Sequence, residues 1–143
     1  MGEMKGLNQR EYESRVLRLG ISGGISCGKS TVAKILLEAL CQNSIETHYL
    51  DVDTLRTQIL GNNSSSSFRN VQNQLIEIFG NSIARTTGGI NRRILSDIIF
   101  GDSKALALYE AVIDPIIFNE CSRYLDSKKG VLLLESALLV EKR

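Results

Sequence analysis

The sequence predicts an α/β fold in which a three-stranded parallel sheet is the middle of three layers and carries helices on both faces. Two observations indicate this fold. An apolar stretch at 16–21 is followed by glycine-rich residues and a helical pattern, and an all-apolar stretch at 131–134 ends in an acid. Strands joined by a crossover helix are parallel neighbours. Uninterrupted apolar runs are typical of buried parallel strands.

The residues between the first strand and the first helix carry the clearest chemical signal. The phosphate-binding loop pattern G-x-x-x-x-G-K-[ST] is matched by Gly23-Gly24-Ile25-Ser26-Cys27-Gly28-Lys29-Ser30. Its backbone N–H groups and the positive end of the following helix dipole form an anion site. In this pattern Lys29 reaches the β- and γ-phosphates, and the Ser30 hydroxyl ligates Mg²⁺. The loop and Thr31 therefore predict binding of a nucleotide's phosphates with Mg²⁺ in a fold of the P-loop NTPase type.

The next elements are predicted from apolar spacing. The first helix is expected over 29–41, and its apolar positions are Val32, Ile35, Leu36, Ala39 and Leu40. A turn at 42–44 leads into a short strand at 47–50, which is rich in β-formers. A short helix at 54–60 and a serine-rich connecting loop at 61–67 follow.

Helical patterns dominate the residues from 68 to 126. One helix is expected at 68–79 with Gly80 as its stop. After a turn at 86–89, a second is expected at 91–100, with Ile94, Leu95, Ile98 and Ile99 facing inward. A third is expected at 103–113. Proline disfavours helix at the preceding residue, so Asp114-Pro115 is expected to end it and to begin another helix that runs to 126.

The candidate catalytic carboxylates follow predicted strands. Ligands of parallel α/β sheets bind at the carboxyl ends of the strands, and phosphoryl transfer needs a group that orients or deprotonates the acceptor. We predict Asp53 as this base and Asp51 as a Mg²⁺-shell or helix-capping residue. The alternative is that both are solvated caps.

Glu135 ends the third strand, as the acid of a Walker-B strand does, and is predicted to hold a metal-bound water. An ordinary strand-end carboxylate is the alternative. Arg92 and Arg93 begin a helix, where one of them can bind an anionic acceptor, or both can form a solvated basic face. His48 is expected to be exposed in an edge strand. The sequence lacks the N-K-x-D and D-x-x-G motifs expected of GTPases.

Composition limits the remaining classes of function. A chain of 143 residues with net charge +1 is expected to form one domain and to bind neither nucleic acid nor membrane. Residues 1–14 are polar and predict a flexible tail rather than a signal peptide. The odd number of cysteines, Cys27, Cys41 and Cys121, fits reduced thiols and a cytoplasmic location.

The succession of motifs resembles the dephospho-coenzyme A kinase family. The resemblance spans about 16–141 and rests on several motifs whose order and spacing fit the family: the loop at Ser22–Ser30, Asp51-Val52-Asp53, Phe79-Gly80, Gly88 to Arg92 running on to Phe100, Asp114-Pro115, and Ala137-Leu138-Leu139-Val140-Glu141. The phosphate loop alone is shared by many kinases, whereas the later motifs are more specific.

This resemblance implies ATP-dependent phosphorylation of the ribose 3′-hydroxyl of dephospho-CoA, with ATP and dephospho-CoA as small-molecule substrates. It assigns the acceptor base to Asp53 and an acceptor contact to Arg92. It also implies a kinase domain over 15–143 with a helical CoA-binding insertion at about 61–127. Several residues depart from the family pattern: Ser26 and Cys27 in the loop, Thr57 where an arginine is usual, Asp114 for histidine, and Ala137 for proline.

The family pattern continues beyond residue 143 with an arginine-bearing lid and two further strands. We therefore expect a truncated product or a partial sequence. The first strand would then be an exposed sheet edge through which the chain self-associates. Two other functional interpretations stay open: a kinase for another small hydroxyl acceptor, and a non-catalytic nucleotide-binding remnant.

Overall fold

The computed structural model describes residues 16–24 and 26–137. Three sequence predictions lie outside the described residues. They are the tail at 1–14, the place of Ile25 in the loop, and the motif residues Leu138, Leu139, Val140 and Glu141.

Three parallel strands form one sheet. They are β1 (Leu17–Ser22), β2 (Thr47–Asp51) and β3 (Val131–Ser136), in the spatial order β1-β3-β2. The predicted parallel sheet is therefore confirmed. The apolar run of β3 takes the central position, where Leu132 and Leu133 point to opposite faces and are both almost fully buried.

The strand register brings the carboxyl ends of all three strands to one level. Glu135 of β3 is paired with Ile21 of β1 on one side and with Asp51 of β2 on the other. Side chains at this edge of the sheet therefore lie close to one another, as the parallel arrangement requires.

The helix α1 (Lys29–Gln42) covers one face of the sheet. Ala33 is buried there, and the partly buried leucines beside it pack with Leu133: Leu36, Leu37 and Leu40. Val32 and Ile35, which belong to the apolar pattern of this helix, are 55% and 61% exposed instead. The helix is apolar on more than one side, so spacing alone did not identify the face that packs on the sheet.

Four longer helices and one short 3₁₀ helix lie between β2 and β3. Their bounds are α2 (Val52–Leu60), α3 (Ser66–Phe79), the 3₁₀ helix (Asn81–Ile83), α4 (Arg92–Gly101) and α5 (Ser103–Asp126). The stop predicted at Gly80 is confirmed, since this residue has φ +87° and donates its N–H to the carbonyl of Ile76. Within α4, Leu95 and Ile99 are buried as expected, whereas the prediction that Ile94 faces inward is wrong.

The predicted helix break at Asp114-Pro115 is also wrong. The helix α5 continues from Ser103 to Asp126 with Pro115 inside it. Proline within a helix removes one backbone hydrogen bond and costs about 3 kcal/mol. Buried side chains repeat every four residues on both sides of the proline, at Ala105, Tyr109, Ile113, Ile117 and Cys121. Packing along this one face opposes the local preference of proline and keeps the helix continuous.

The chain divides into two compact units. Of the described residues, the first contains those up to Val52 and those from Ser122 to Ala137, and the second runs from Asp53 to Cys121. The first unit holds the sheet, α1 and the end of α5. The second overlaps the predicted insertion at about 61–127, whose role in binding the acceptor stays a prediction.

Candidate functional site

The phosphate-loop residues connect β1 to α1. Gly28 is the residue before the helix and has φ +88°, a left-handed conformation that glycine adopts without steric cost. Glycine has no side chain that could accept a hydrogen bond from the first N–H groups of α1. These donors are therefore not occupied by a capping side chain at Gly28. This is the backbone geometry that binds phosphate at a helix N-terminus.

Lys29 folds back over the loop. Its Nζ donates a hydrogen bond of 2.8 Å to the carbonyl oxygen of Gly24. Cys27 also turns toward the loop, because its Sγ would lie 2.8 Å from a Cβ added to Gly23. A glycine at position 23 is therefore required for this close approach. Ser26 and Thr31 are exposed, and their contact with phosphate stays a prediction.

Ser30 and Glu135 form a direct hydrogen bond. Ser30 Oγ, in the first turn of α1, donates to Glu135 Oε1 over 2.6 Å. Glu135 is only 4% exposed, so this carboxylate belongs to the interior of the first unit rather than to its surface. The bond joins the phosphate loop to the end of the central strand.

Tyr49 completes the environment of Glu135 and is the residue that sequence reasoning missed. Its hydroxyl donates a 2.6 Å hydrogen bond to Glu135 Oε2. Burial, and next the hydrogen bond to Glu135, raise the pKa of Tyr49 above its ordinary value. Tyr124 of α5 donates its own hydroxyl to the backbone oxygen of Tyr49 at 3.0 Å. Finding Tyr49 from sequence would have required the register between β2 and β3.

The oxygen atoms of this cluster suit Mg²⁺. The ion commonly takes one or two protein oxygens and completes its octahedron with phosphate oxygens and water. Ser30 directs its proton to Glu135, so the lone pairs of Oγ remain for a cation. Within residues 16–24 and 26–137, no three His, Cys, Asp or Glu side chains cluster as a self-sufficient metal site. Ser30 and Glu135 therefore fit a magnesium ion that arrives with a nucleotide.

The two aspartates near the end of β2 lie in different elements. Asp51 is the last residue of β2 and is paired in register with Glu135. The strand ends there, so the two carboxylates are not carried by one strand. Asp53 lies instead in the first turn of α2, where a carboxylate interacts favourably with the helix dipole. Its Oδ1 is 3.8 Å from Arg56 Nη1.

Within the second unit, a turn against the end of α2 fixes the start of α4. Ile90 N–H donates to the Leu60 carbonyl at 2.7 Å, and Asn91 N–H donates to the Ile83 carbonyl at 2.6 Å. Gly89, with φ +83°, lies so close to this backbone that an added Cβ would be 2.7 Å from the carbonyl carbon of Gly61. Asn91 caps the helix through its side chain. These contacts set the position of Arg92, the first residue of α4.

Two arginines of the second unit lie within electrostatic range of the buried Tyr109. Burial raises the pKa of Tyr109, while the positive charges of Arg56 and Arg92 act in the opposite direction. Asp53 and Arg56 lie on α2, and Arg92 begins α4. Arg93 is exposed. An open groove of about 580 Å³ lies elsewhere in this unit, along α5 beside Asp114 and Pro115.

Two further sequence predictions concern β2 and the membrane. His48 lies in the edge strand β2 as expected, but the prediction that it is exposed is wrong, since its side chain is 22% exposed and forms a 3.0 Å contact with Glu46. In the described part of the chain, no helix has the length and apolar character needed to cross a lipid bilayer.

Comparisons with known proteins show that the chain is similar to members of one family. The family model CoaE, dephospho-CoA kinase, matches residues 17–143. A dephospho-CoA kinase of Aquifex aeolicus is 32% identical over 130 residues, covering 87% of this chain and 59% of the relative. One of Dehalococcoides mccartyi is 29% identical over 127 residues, covering 86% of this chain and 58% of the relative.

A solved structure shares the fold. The crystal structure of TT1252 from Thermus thermophilus superposes with a TM-score of 0.68 at 28% identity, covering 90% of this chain and 60% of that one. The chain therefore spans less than two thirds of the length of these relatives.

Proposed function

Because the chain belongs to the dephospho-CoA kinase family, we propose that it binds ATP with Mg²⁺ and phosphorylates the ribose 3′-hydroxyl of dephospho-CoA. The family match carries this proposal, because it covers both the phosphate loop and the residues predicted to meet the acceptor. The geometry of the first unit supports the nucleotide half, and the residues of the second unit support the acceptor half.

The phosphate loop is proposed to bind the β- and γ-phosphates of ATP. The N–H groups at the start of α1 supply donors, and Lys29 supplies a positive charge. Lys29 Nζ now donates to the Gly24 carbonyl, so its ammonium lies over the loop and can exchange that acceptor for phosphate oxygens.

Ser30 and Glu135 are proposed to hold the metal ion. Ser30 Oγ offers its lone pairs as a direct ligand, and Glu135 accepts the hydrogen bond of the Ser30 hydroxyl and so keeps those lone pairs directed outward. When bound, the ion neutralises charge on the phosphate oxygens during transfer. Glu135 is buried, and both of its carboxylate oxygens accept hydrogen bonds. We therefore propose that Glu135 acts on the ion through Ser30.

Asp53 is proposed as the acceptor base. Its carboxylate accepts the proton of the 3′-hydroxyl as that oxygen attacks the γ-phosphorus and the bond to the ADP oxygen breaks. Arg92 is proposed to bind an anionic group of the acceptor, since a guanidinium donates two parallel hydrogen bonds to phosphate. Arg56, which is 3.8 Å from Asp53, adds a second positive charge in the same unit.

A panel of acceptors tests the proposal. Intact protein, Mg²⁺ and ATP labelled at the γ-phosphate are incubated with dephospho-CoA, with nucleosides and with pantetheine compounds, and the products are identified by mass spectrometry. The proposal expects transfer to dephospho-CoA in preference to the other acceptors. Transfer mainly to a nucleoside or a pantetheine compound would replace it with a kinase for another small hydroxyl acceptor.

We also infer a cytoplasmic location. Cys27, Cys41 and Cys121 are all free thiols, and reduced cysteines are typical of that compartment.

A further inference from the structure

The side chains around Glu135 form a chain of hydroxyl donors. Each carboxylate oxygen accepts one hydrogen bond of 2.6 Å, Oε1 from Ser30 and Oε2 from Tyr49. Glu135 is almost fully buried. A carboxylate that accepts a hydrogen bond at each oxygen cannot turn away without leaving a hydroxyl donor unpaired, so Tyr49 helps to fix the orientation in which the carboxylate faces Ser30.

The strands hold Tyr49 in the position that this contact needs. Tyr49 is paired in register with Leu133, two residues before Glu135 on the central strand. Side chains two residues apart on a strand point to the same face, so Tyr49 and Glu135 share the face that α1 covers. The ring of Tyr49 packs with Leu133 against this helix, and its hydroxyl reaches the carboxylate diagonally across the two strands.

A second tyrosine contacts the backbone of the first but not the carboxylate. Tyr124 donates its hydroxyl to the carbonyl oxygen of Tyr49. It makes this contact from the end of α5, which belongs to the same compact unit. Tyr124 therefore supports the strand rather than the carboxylate, and the two hydroxyls can be removed separately.

From these contacts we propose that Tyr49 is a positioning residue for the metal–nucleotide site. It acts through Glu135 on Ser30, by fixing the carboxylate so that the Ser30 proton stays directed inward and the Oγ lone pairs stay directed to the cation. The inference rests on the proposed ATP site and adds a residue to it. Substitution of a residue that orients a metal ligand through hydrogen bonds commonly lowers metal affinity 10- to 100-fold.

The test compares ATP binding with and without the metal. Tyr49→Phe removes only the hydroxyl and keeps the ring. Calorimetric titration of ATP in excess Mg²⁺ is expected to show about 10-fold weaker binding for this variant than for the parent. Titration in EDTA is expected to show equal binding, because the loop N–H groups and Lys29 are untouched. A merely structural role for Tyr49 would weaken both titrations alike, and that result would overturn the inference.

Three control variants sharpen the result. Tyr124→Phe removes a hydroxyl from the same region without touching Glu135, and is expected to bind Mg-ATP as the parent does. In a Ser30→Ala background, Tyr49→Phe is expected to cause no further loss, because the two hydroxyls act through one carboxylate. Should Tyr49→Phe be unstable by circular dichroism, Glu135→Gln perturbs the same hydroxyls with the side-chain volume kept, and is expected to weaken Mg-ATP binding selectively.

The outcomes separate this inference from the proposed function. A parent that binds no ATP would overturn both. A parent that binds Mg-ATP more tightly than metal-free ATP, together with a Tyr49→Phe variant that does the same to the same degree, would overturn the role of Tyr49 alone.

Discussion

The two compact units position their predicted site residues by different means. In the first, side chains hold one another, since Ser30 and Tyr49 each donate to Glu135 at the end of the central strand. In the second, backbone contacts around Gly89 set the start of the helix that carries Arg92. The first arrangement should therefore respond to the loss of one hydroxyl, and the second to the addition of one methyl group.

The largest effect is expected from removing the proposed base of the second unit. Asp53→Asn should lower the rate of transfer to dephospho-CoA by about 10²–10⁴-fold. ATP binding should be unchanged, because the phosphate loop is untouched. Steady-state kinetics with calorimetry measure both quantities. Asp51→Asn is the matched control and should retain most of the rate. An Asp53→Asn variant with the parent rate, beside an inactive Asp51→Asn, would reverse the two assignments.

Adding a methyl group at Gly89 tests the backbone contacts. Gly89→Ala forces a Cβ against the backbone of Gly61 and Asn62 at a positive φ, so the free energy of unfolding should fall by about 1–3 kcal/mol. In mild conditions the KM for dephospho-CoA should rise while that for ATP stays constant. Gly101→Ala, where a Cβ meets no atom within 4 Å, is the control and should not destabilise the protein. Equal stability of the two variants in urea denaturation would refute the argument.

A smaller effect is expected from the exposed edge of the sheet, which favours association of the chain with another copy of itself. Leu17 is 51% exposed on β1, which among the described strands pairs only with β3. Unpaired apolar edges favour pairing with another chain. Light scattering of the 143-residue chain should show self-association that Leu17→Lys reduces. Phe118→Lys, at a 71% exposed position on a helix, should reduce it much less. A parent that stays monomeric at high concentration would contradict this prediction.

The smallest effect concerns one thiol in the phosphate loop. Cys27 is exposed and lies against Gly23, so Mg-ATP in the loop should shield it from alkylation. Cys41 is also exposed but lies in the last turn of α1, and its alkylation should not depend on ATP. Peptide mass spectrometry measures both rates in one sample. Equal modification of Cys27 with and without Mg-ATP would count against nucleotide binding at this loop.

The contrast between the two units also explains which features could be predicted from the sequence. Apolar runs and a loop motif are local, so the strands, α1 and the parallel order followed from them. Contacts that depend on the register between neighbouring strands could not be predicted in this way. Tyr49 reads as an ordinary strand residue until β2 is placed beside β3, and Ile35 reads as core until the packed face of α1 is known. The helix break predicted at Pro115 is wrong because packing of one face of α5 from Ala105 to Cys121 opposes the local preference of proline.

The acceptor side was less predictable for a related reason. Arg92 is predicted from its motif and its role stays a prediction, whereas the turn that positions it depends on close approach between Gly89 and the residues after α2. Such an approach has no signature in a single sequence beyond the glycine itself. Arg56 lies one position before the site where the family has arginine. Only its contact with Asp53 in the structure makes it a candidate residue of the acceptor side.

The most direct test of the account is a crossed binding measurement on the two units. ATP and dephospho-CoA are titrated separately, by calorimetry with Mg²⁺, into Lys29→Ala and Arg92→Ala. Lys29→Ala should lose ATP and keep dephospho-CoA, and Arg92→Ala should keep ATP and bind dephospho-CoA more weakly. Both substitutions place alanine, the best helix former, at a helix start and should leave the fold intact by circular dichroism. If folded Lys29→Ala binds ATP as the parent does, or if each variant loses both ligands, the assignment of nucleotide and acceptor to separate units is contradicted.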